Sequence, residues 1–320
     1  MDVELPIIYS IDDNYAQHCA AGMASLLANI SSKYKVHIFI LTGNLSAENR
    51  EKLIITSSLK ACELTFIEVH DHELDGLHIP PPWSKAILYR LKIPTLLEKY
   101  SKAIYLDADT IVEGDMVELF DVDLRDKFLA AVDELDLNKT STYFQIQRIG
   151  TPLENGYFNS GVLPLNLEKM RAENFEKQCL SLIFSEKRHR LTFPDQDALN
   201  MVAGGNYLHL PPIWNLEVGY ADGAVLGKYR KSAKIFHFAC LPKPWHIGDS
   251  FFSRYHPHPQ INLSSKYYRY LRLTPWKGFK AKGSTRILCK KFLSLFDLGS
   301  VIAKRKMEKR IEKIVNAKIN

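Results

Sequence analysis

Two carboxylates, Asp107 and Asp109, flank Ala108 at the end of the apolar run Ile104-Tyr105-Leu106. Residues two apart on a strand point the same way, and the carboxyl end of a parallel sheet is where ligands bind. Held together there, two anions are costly unless a cation lies between them. Hard oxygen ligands of this kind suit Mg²⁺ or Mn²⁺ shared with phosphates. The plainer alternative is an exposed strand-end turn with two unrelated acids. A second cluster, Asp12, Asn14 and Tyr15, follows the first apolar run and offers a carboxylate, an amide and an aromatic face. Such a set can hydrogen-bond to a nucleobase and stack on it, although each residue is also an ordinary turn former. Taken alone, His237 between Phe236 and Phe238 reads as a satisfied core histidine and Asn159 as a turn residue.

These side chains need elements to position them. Leu5 to Ile11 reads as a strand and Ala16 to Ile30 as a helix; Val36 to Leu41 and Leu64 to Val69 are further strands. Between those two, Ser46 to Leu59 reads as a helix opening with an imperfect capping box. Ser84 to Tyr100 reads as helix although Pro94 should kink or break it. Ala103 to Leu106 is a strand running into Asp107, and Phe128 to Val132 a fifth strand ending at Asp133. Strand and helix alternate, which predicts an α/β fold with a mostly parallel sheet. Beyond residue 150, Gly156 to Leu165 reads as a turn entering a strand and Leu167 to Phe184 as helix. Phe193 to Ala203 opens a helix with Pro194, and Lys234 to Phe238 is a short strand before the proline-stiffened Cys240 to Trp245. No Gly-x-Gly-x-x-Gly follows the first strand, which argues against an NAD-type pyrophosphate turn.

Composition narrows the class. The 320 residues are 46% hydrophobic and 24% charged, as in soluble globular proteins and unlike disordered or fibrous chains. A chain of this length buries roughly three quarters of its unfolded surface, so it needs no staples. Five cysteines without a C-x-x-C pair argue against a disulfide framework or a zinc site. The acidic start Met1-Asp2-Val3-Glu4 is unlike a signal peptide, and no stretch approaches the roughly 18 apolar residues of a membrane span. The expected compartment is the cytoplasm.

Charge is unevenly spread. Ser264 to Asn320 holds 16 basic and 3 acidic residues, a net of +13, whereas the preceding 263 residues hold 26 basic and 33 acidic, a net of −7. An acidic body with a basic tail is not the pattern of a nucleic-acid binder. The division places a catalytic domain at 1–262 and a separate C-terminal region at 263–320.

Two families share parts of this pattern. Asp107-Ala108-Asp109-Thr110-Ile111 has the D-x-D-x-[TV] shape of haloacid-dehalogenase-like phosphohydrolases, in which Asp107 would be a nucleophile, but those enzymes carry it on their first strand. Here three strands precede it. The broader resemblance is to glycosyltransferase family 8, in particular its bacterial lipopolysaccharide glucosyl- and galactosyltransferases. It rests on six ordered motifs: Ser10-x-Asp12-x-Asn14-Tyr15, Tyr89-Arg90-Leu91, Tyr105-Leu106-Asp107-Ala108-Asp109, Tyr157-Phe158-Asn159-Ser160-Gly161-Val162-Leu163, Asp195-Gln196-Asp197-x-Leu199-Asn200, and His237 followed by Lys243-Pro244-Trp245-His246. They span Leu5 to His246.

The resemblance implies a GT-A fold and a UDP-hexose donor, glucose or galactose, transferred to a saccharide acceptor that is lipid-linked, of lipopolysaccharide type. Ser10, Asp12 and Asn14 then resemble uridine contacts and Tyr15 the ring on uracil. Asp107, Asp109 and His237 resemble ligands of Mn²⁺ (or Mg²⁺), with Ala108 between them. Lys243 reaches the diphosphate. Arg90, Asp133, Asn159 and Gln196 resemble donor-sugar contacts, with Asp195 and Asp197 in the same region. Gln196, Asp197 and Asp133 are the candidates for the catalytic step. Cys240 stands where the family usually has a glycine near the diphosphate. The implied chemistry is retaining, by Asp197 as nucleophile, by stabilisation from Gln196, or by a front-face route with the leaving phosphate as base.

In the tail, Tyr267, Tyr268, Tyr270, Trp276 and Phe279 interleave with Lys and Arg, and Leu288, Phe292, Leu295, Phe296 and Ile302 fall near one helical face. This predicts a peripheral element on the anionic cytoplasmic face of the inner membrane. The competing reading is an ordinary helix packed on the body.

Overall fold

The computed structural model describes residues 4–70, 72–74, 77, 79, 83–134, 146–150, 156–221, 223–247, 259–279 and 281. Among these residues, ten strands form two sheets: β1 (Glu4–Ser10), β2 (Lys35–Thr42), β3 (Glu63–Glu68), β4 (Lys102–Leu106), β5 (Thr110–Val112), β6 (Leu129–Ala131), β7 (Val162–Asn166), β8 (Tyr207–His209), β9 (Leu216–Glu217) and β10 (Ile235–His237). The larger sheet runs β3-β2-β1-β4-β7-β6-β8. Its first four strands are parallel, β7 is antiparallel to β4 and β6, and β8 is parallel to β6.

The apolar runs explain the layering. Successive side chains of a strand alternate faces. Ile7, Tyr9, Ile38, Ile40, Ile104 and Leu106 therefore pack on one side with Cys19, Met23 and Leu26 of helix α1 (Ala16–Asn29). Ile8, Phe39, Leu41, Tyr105 and Leu163 pack on the other with Leu88, Met170, Phe175 and Leu199. Strands covered on both faces are the mark of a parallel α/β sheet. Ser46 caps helix α2 (Ala47–Ser57), its hydroxyl accepting from the Asn49 N–H at 3.3 Å.

Three elements differ from expectation. The stretch 84–100 breaks into α3 (Ala86–Tyr89), a 3-10 turn over Arg90–Lys92 and α4 (Ile93–Leu96). Pro94 lacks an N–H and clashes with the carbonyl four residues back, so it opens a new helix instead of continuing one. After α5 (Met116–Phe120), the stretch 167–184 is two helices, α6 (Leu167–Ala172) and α7 (Phe175–Phe184), parted at Asn174, whose φ is +53°. Asparagine tolerates that left-handed conformation better than most side chains. Then α8 (Pro194–Ala203) opens with Pro194 as expected and ends at Gly204. The third difference is in the small sheet β5-β10-β9: β10 falls within the strand expected over 234–238, but β5 and β9, of three and two residues, leave little periodic trace in the sequence.

Helices α9 (Gly223–Tyr229), α10 (Pro244–Ile247), α11 (Pro259–Asn262) and α12 (Ser264–Leu271) complete the described chain. Tyr267, Tyr268, Tyr270 and Leu271 of α12 are buried, in one cluster with Ala21 and Ala24 of α1. Tyr267 Oη lies 2.7 Å from His18 Nδ1, and Asn29 Nδ2 donates to Tyr270 Oη at 3.0 Å. The change of charge near residue 262 is thus no break in packing, which continues through Leu271. The apolar face expected over 288–302 lies outside the described residues.

Candidate active site

The sheet has one topological switch point. From β1 the chain steps to β2 and β3 on one side and later returns to β4 on the other, so a crevice forms outside the carboxyl ends of β1 and β4. Ser10 ends β1 and Asp107 follows β4. The small sheet adds a third wall. His237 pairs with Thr110 across the β10–β5 ladder, and the Phe238 N–H donates to the Asp109 carbonyl at 3.0 Å. Residues 127 and 129 apart in sequence are fixed side by side.

Asp107, Asp109 and His237 accordingly converge, with one ligand atom from each lying within 4.8 Å of the others. His237 Nε2 is 3.2 Å from Asp109 Oδ1 and 3.6 Å from Asp107 Oδ2. Lys243, buried just before α10, places Nζ 2.6 Å from Asp109 Oδ2 and donates to the carbonyls of Phe238 and Ala239 at 2.5 and 2.8 Å. Burial alone would push the Asp109 carboxyl up; the Lys243 ammonium opposes it, and the carboxyl is held far below the ordinary range. Gly161 faces this group. A Cβ there would fall 2.3 Å from His237 Cε1 and 2.8 Å from Asp107 Oδ2, so any side chain would drive the ligand atoms apart.

Arg90 supports the acids from below. Its Nη2 pairs with Asp107 Oδ1 at 2.8 Å, Nε with Asp195 Oδ2 at 3.1 Å, and Nη1 donates to the Ser160 carbonyl and hydroxyl at 3.1 Å. The guanidinium lies over the Tyr105 ring, whose hydroxyl donates to Asp107 Oδ1 at 2.7 Å. Burial works against the Arg90 charge, but Asp107, Tyr105 and Asp195 hold its pKa above the usual value. Burial pushes the Asp195 carboxyl up against the pull of Arg90.

The other predicted residues fall into three places. At the end of β1, Ser10 Oγ donates to the Ala86 carbonyl at 2.5 Å and Asp12 accepts from the N–H groups of Asn14 and Tyr15. Asp12 also borders a cavity of about 450 Å³ with Asn44, Ser84 and Tyr89. Tyr15 stands edge-on to Trp245 at 6.2 Å. On α8, Gln196 and Asp197 are buried and engaged. Gln196 Oε1 accepts from the Ser160 N–H at 2.9 Å, and its Nε2 donates to Glu134 at 3.0 Å and to Tyr157 Oη at 3.1 Å. Asp197 is fully buried and accepts from Arg148, Tyr157 and the Phe193 N–H. Asp133 lies apart on an exposed rim, bonded to Tyr207 and His209. Ala108 is buried and Cys240 half-buried, its thiol pushed up by burial.

Sequence reasoning missed Asn215 and Glu217. Asn215 Oδ1 lies 3.0 Å from His237 Nδ1, and its Nδ2 donates to Asn159 Oδ1 at 2.8 Å; Asn159 Nδ2 in turn faces Glu217 Oε2 at 3.2 Å. The only trace in sequence is two polar side chains in the otherwise apolar run Ile213 to Val218.

The chain is similar to known proteins in both sequence and fold. The pattern of Glycosyl transferase family 8 matches residues 6–248. General stress protein A of Bacillus subtilis (strain 168) is 27% identical over 292 residues, covering 86% of this chain and 96% of that protein. A lipopolysaccharide 1,2-glucosyltransferase of Escherichia coli (strain K12) is 25% identical over 295 residues, covering 89% and 82%. The galactosyltransferase LgtC, solved in complex with donor and acceptor sugar analogs, superimposes with a TM-score of 0.70 at 22% identity, covering 86% of this chain and 99% of that one; this shows a shared GT-A fold. The matched span runs from β1 through Lys243 and takes in every residue of the acid–histidine group, and the chain belongs to glycosyltransferase family 8.

Proposed function

We propose that the protein is a retaining hexosyltransferase that moves glucose or galactose from a UDP-sugar to a saccharide acceptor of lipopolysaccharide type. The observation that carries this reading is the convergence of Asp107, Asp109 and His237 beside Lys243. Two carboxylates and an imidazole suit Mn²⁺, whereas Mg²⁺ favours oxygen ligands alone. Gly161 leaves the space between them clear. A metal held there would supply Lewis-acid stabilisation of the charge that develops on departing UDP.

Around it, Asp12 and Asn14 would bind the uridine, Ser10 would support that wall through Ala86, and Tyr15 would stack on the base. Lys243 would bring a second cation to the diphosphate. Arg90 orients Asp107 and Asp195, and Asp195, Gln196 and Asp133 would meet the sugar. Asp197 has the residue type of a nucleophile, but it is buried and both its oxygens accept hydrogen bonds, from Tyr157, Arg148 and the Phe193 N–H. That favours the front-face route, in which the leaving phosphate takes the acceptor proton and Gln196 faces the reacting sugar. A phosphohydrolase with Asp107 as nucleophile is not favoured, because Arg90 and Tyr105 both hold Asp107 Oδ1 and the family match lies elsewhere.

Among the described residues no helix is long and apolar enough to cross a membrane. The basic stretch beyond residue 281 is proposed to hold the protein on an anionic inner-membrane surface, bringing it to a lipid-linked acceptor. Release of UDP from UDP-glucose or UDP-galactose, assayed with and without Mn²⁺, tests the central reading. Turnover of simple phosphoesters without UDP release would overturn it.

A further inference from the structure

We infer that Asn215 is the positioning residue that presents the Nε2 lone pair of His237 to the acid pair, through a relay of hydrogen bonds that starts at the backbone of Gly161. The consequence for metal binding rests on the proposed ligand role of His237; the relay itself does not.

The direction of the relay follows from its first member. A backbone N–H only donates. Gly161 N–H donates to Asn159 Oδ1 at 2.9 Å, which fixes that atom as the acceptor end of the Asn159 amide. The group of Asn215 facing the same oxygen at 2.8 Å must then be its NH₂, since reversing the amide would set two carbonyl oxygens against each other. Asn215 Oδ1 is left facing His237 Nδ1 at 3.0 Å, and because it can only accept, Nδ1 must carry a proton. In the neutral ring the other nitrogen, Nε2, is then bare, and Nε2 is the atom turned to Asp107 and Asp109. Glu217 Oε2 against Asn159 Nδ2 closes the far end with the same polarity.

Burial makes the arrangement binding. Asn215 is 0% exposed, His237 3% and Asn159 6%, so water cannot substitute for a missing partner. The same glycine contributes three times: its N–H starts the relay, its carbonyl accepts the Asp107 N–H at 2.8 Å, and its missing Cβ admits the imidazole. Backbone, acid and histidine are set as one unit. A second partner that fixes the tautomer and ring orientation of a ligating histidine is worth about 10–100-fold in metal affinity.

The test reads the ring directly. In metal-free protein labelled with ¹⁵N-histidine, long-range ¹H–¹⁵N correlation spectra recorded at alkaline pH should show His237 as the Nδ1–H form; His237→Gln assigns the signal. Asn215→Leu should shift it toward Nε2–H and weaken Mn²⁺ binding about 10–100-fold, measured in the presence of UDP from the spin-resonance signal of free Mn²⁺. Asn215→Asp keeps an acceptor for Nδ1–H but sets an oxygen against Asn159 Oδ1, so it should retain the tautomer while losing less affinity than the leucine form. Asn215→Ala carries the same expectation as leucine if the leucine form does not fold. An Nε2–H ring in the wild-type protein, or equal losses in the leucine and aspartate variants with an unmoved tautomer, would overturn the relay. If His237→Ala binds Mn²⁺ as tightly as wild type, the ligand role fails instead, and the spectrum still decides the relay.

Discussion

The acid–histidine group and the tyrosine seam between α1 and α12 are both buried and both join distant parts of the chain, yet different forces hold them. In the first, Asp107, Asp109, His237, Arg90 and Lys243 are oriented by directed hydrogen bonds and ion pairs. In the second, Tyr267, Tyr268, Tyr270 and Leu271 cover α1 by area, with a few hydroxyl bonds at the edges. The regions touch where Trp245, two residues past Lys243, stacks on His18 at 3.6 Å and meets Tyr15 edge-on. Polar matching specifies a site, so single changes should remove activity. Apolar area specifies stability, so the seam should fail only when much of it is taken away.

The widest separation between the two should come from shortening the chain. Removing everything after Leu263 deletes four large buried side chains and uncovers the face of α1 beneath them, each of the four worth about 1.5–3 kcal/mol when buried. Together they rival the roughly 5–15 kcal/mol that holds a typical domain folded. The chain ending at Leu263 should therefore lack a cooperative melting transition, whereas one ending at Ala281 should melt close to the full-length protein. If both melt alike, α12 adds nothing to the body and the charge boundary is also a structural one.

Next in size are the acids. Asp107→Asn and Asp109→Asn should each lower Mn²⁺-dependent turnover of UDP-sugar about a thousandfold, or about 4 kcal/mol of transition-state stabilisation. Their stabilities should differ. Asp109→Asn strands the buried Lys243 ammonium on two carbonyls, and breaking a buried pair costs about 3–5 kcal/mol. Asp107→Asn leaves Arg90 its second carboxylate, Asp195, and should melt nearer to wild type. Equal melting temperatures would show that Lys243 does not depend on Asp109.

The seam carries its own pH signature. Burial pushes the His18 imidazole down to about 3, against Asp109, which pulls it up. Unfolded, the ring takes a proton near pH 6.5. Between those values the unfolded chain binds the additional proton, so His18 costs no stability above about pH 6.5 and destabilises the fold as pH falls, by about 2 kcal/mol at pH 5. His18→Phe keeps a flat ring against Trp245 and should flatten the acid side of the stability curve in denaturant titrations at pH 5 to 7. Parallel curves for the two proteins would place the acid sensitivity in other groups.

How much of this is legible in sequence follows the same division. The strands β1 to β4 announce themselves because each is an apolar run longer than a turn, and Asp107 to Asp109 because two like charges closing such a run are improbable as packing. Pro94 signals a break but not that a fresh helix begins there. Asn174 gives no warning, since only its φ, and not its composition, parts α6 from α7. Asn215 and Glu217 are invisible for a physical reason: their partners, Asn159 and His237, lie 56, 58 and 22 residues away, so no local spacing records them. The tail misleads in the opposite sense. Its charge is plain, but the tyrosines that bind α12 to the body alternate with the same lysines and arginines, and net charge says nothing about which face is covered.

The smallest effect belongs to Cys240, at the position where the family resemblance implies a glycine. Glycine is needed where φ is positive or where a Cβ would collide. Among the described residues, the non-glycine positions with positive φ are Arg125 and Asn174, so Cys240 holds a backbone that any residue adopts. Its side chain is half-buried on the segment joining His237 to Lys243, and Lys243 nonetheless reaches Asp109. Restoring glycine therefore relieves no strain and adds freedom to the unfolded chain, at a cost of about 0.5–1 kcal/mol. Cys240→Gly should lower the melting temperature by a few degrees and leave the KM for UDP-sugar within about threefold. A tenfold drop in KM would mean that the thiol crowds the diphosphate, and would move Cys240 from the supporting loop into the binding surface itself.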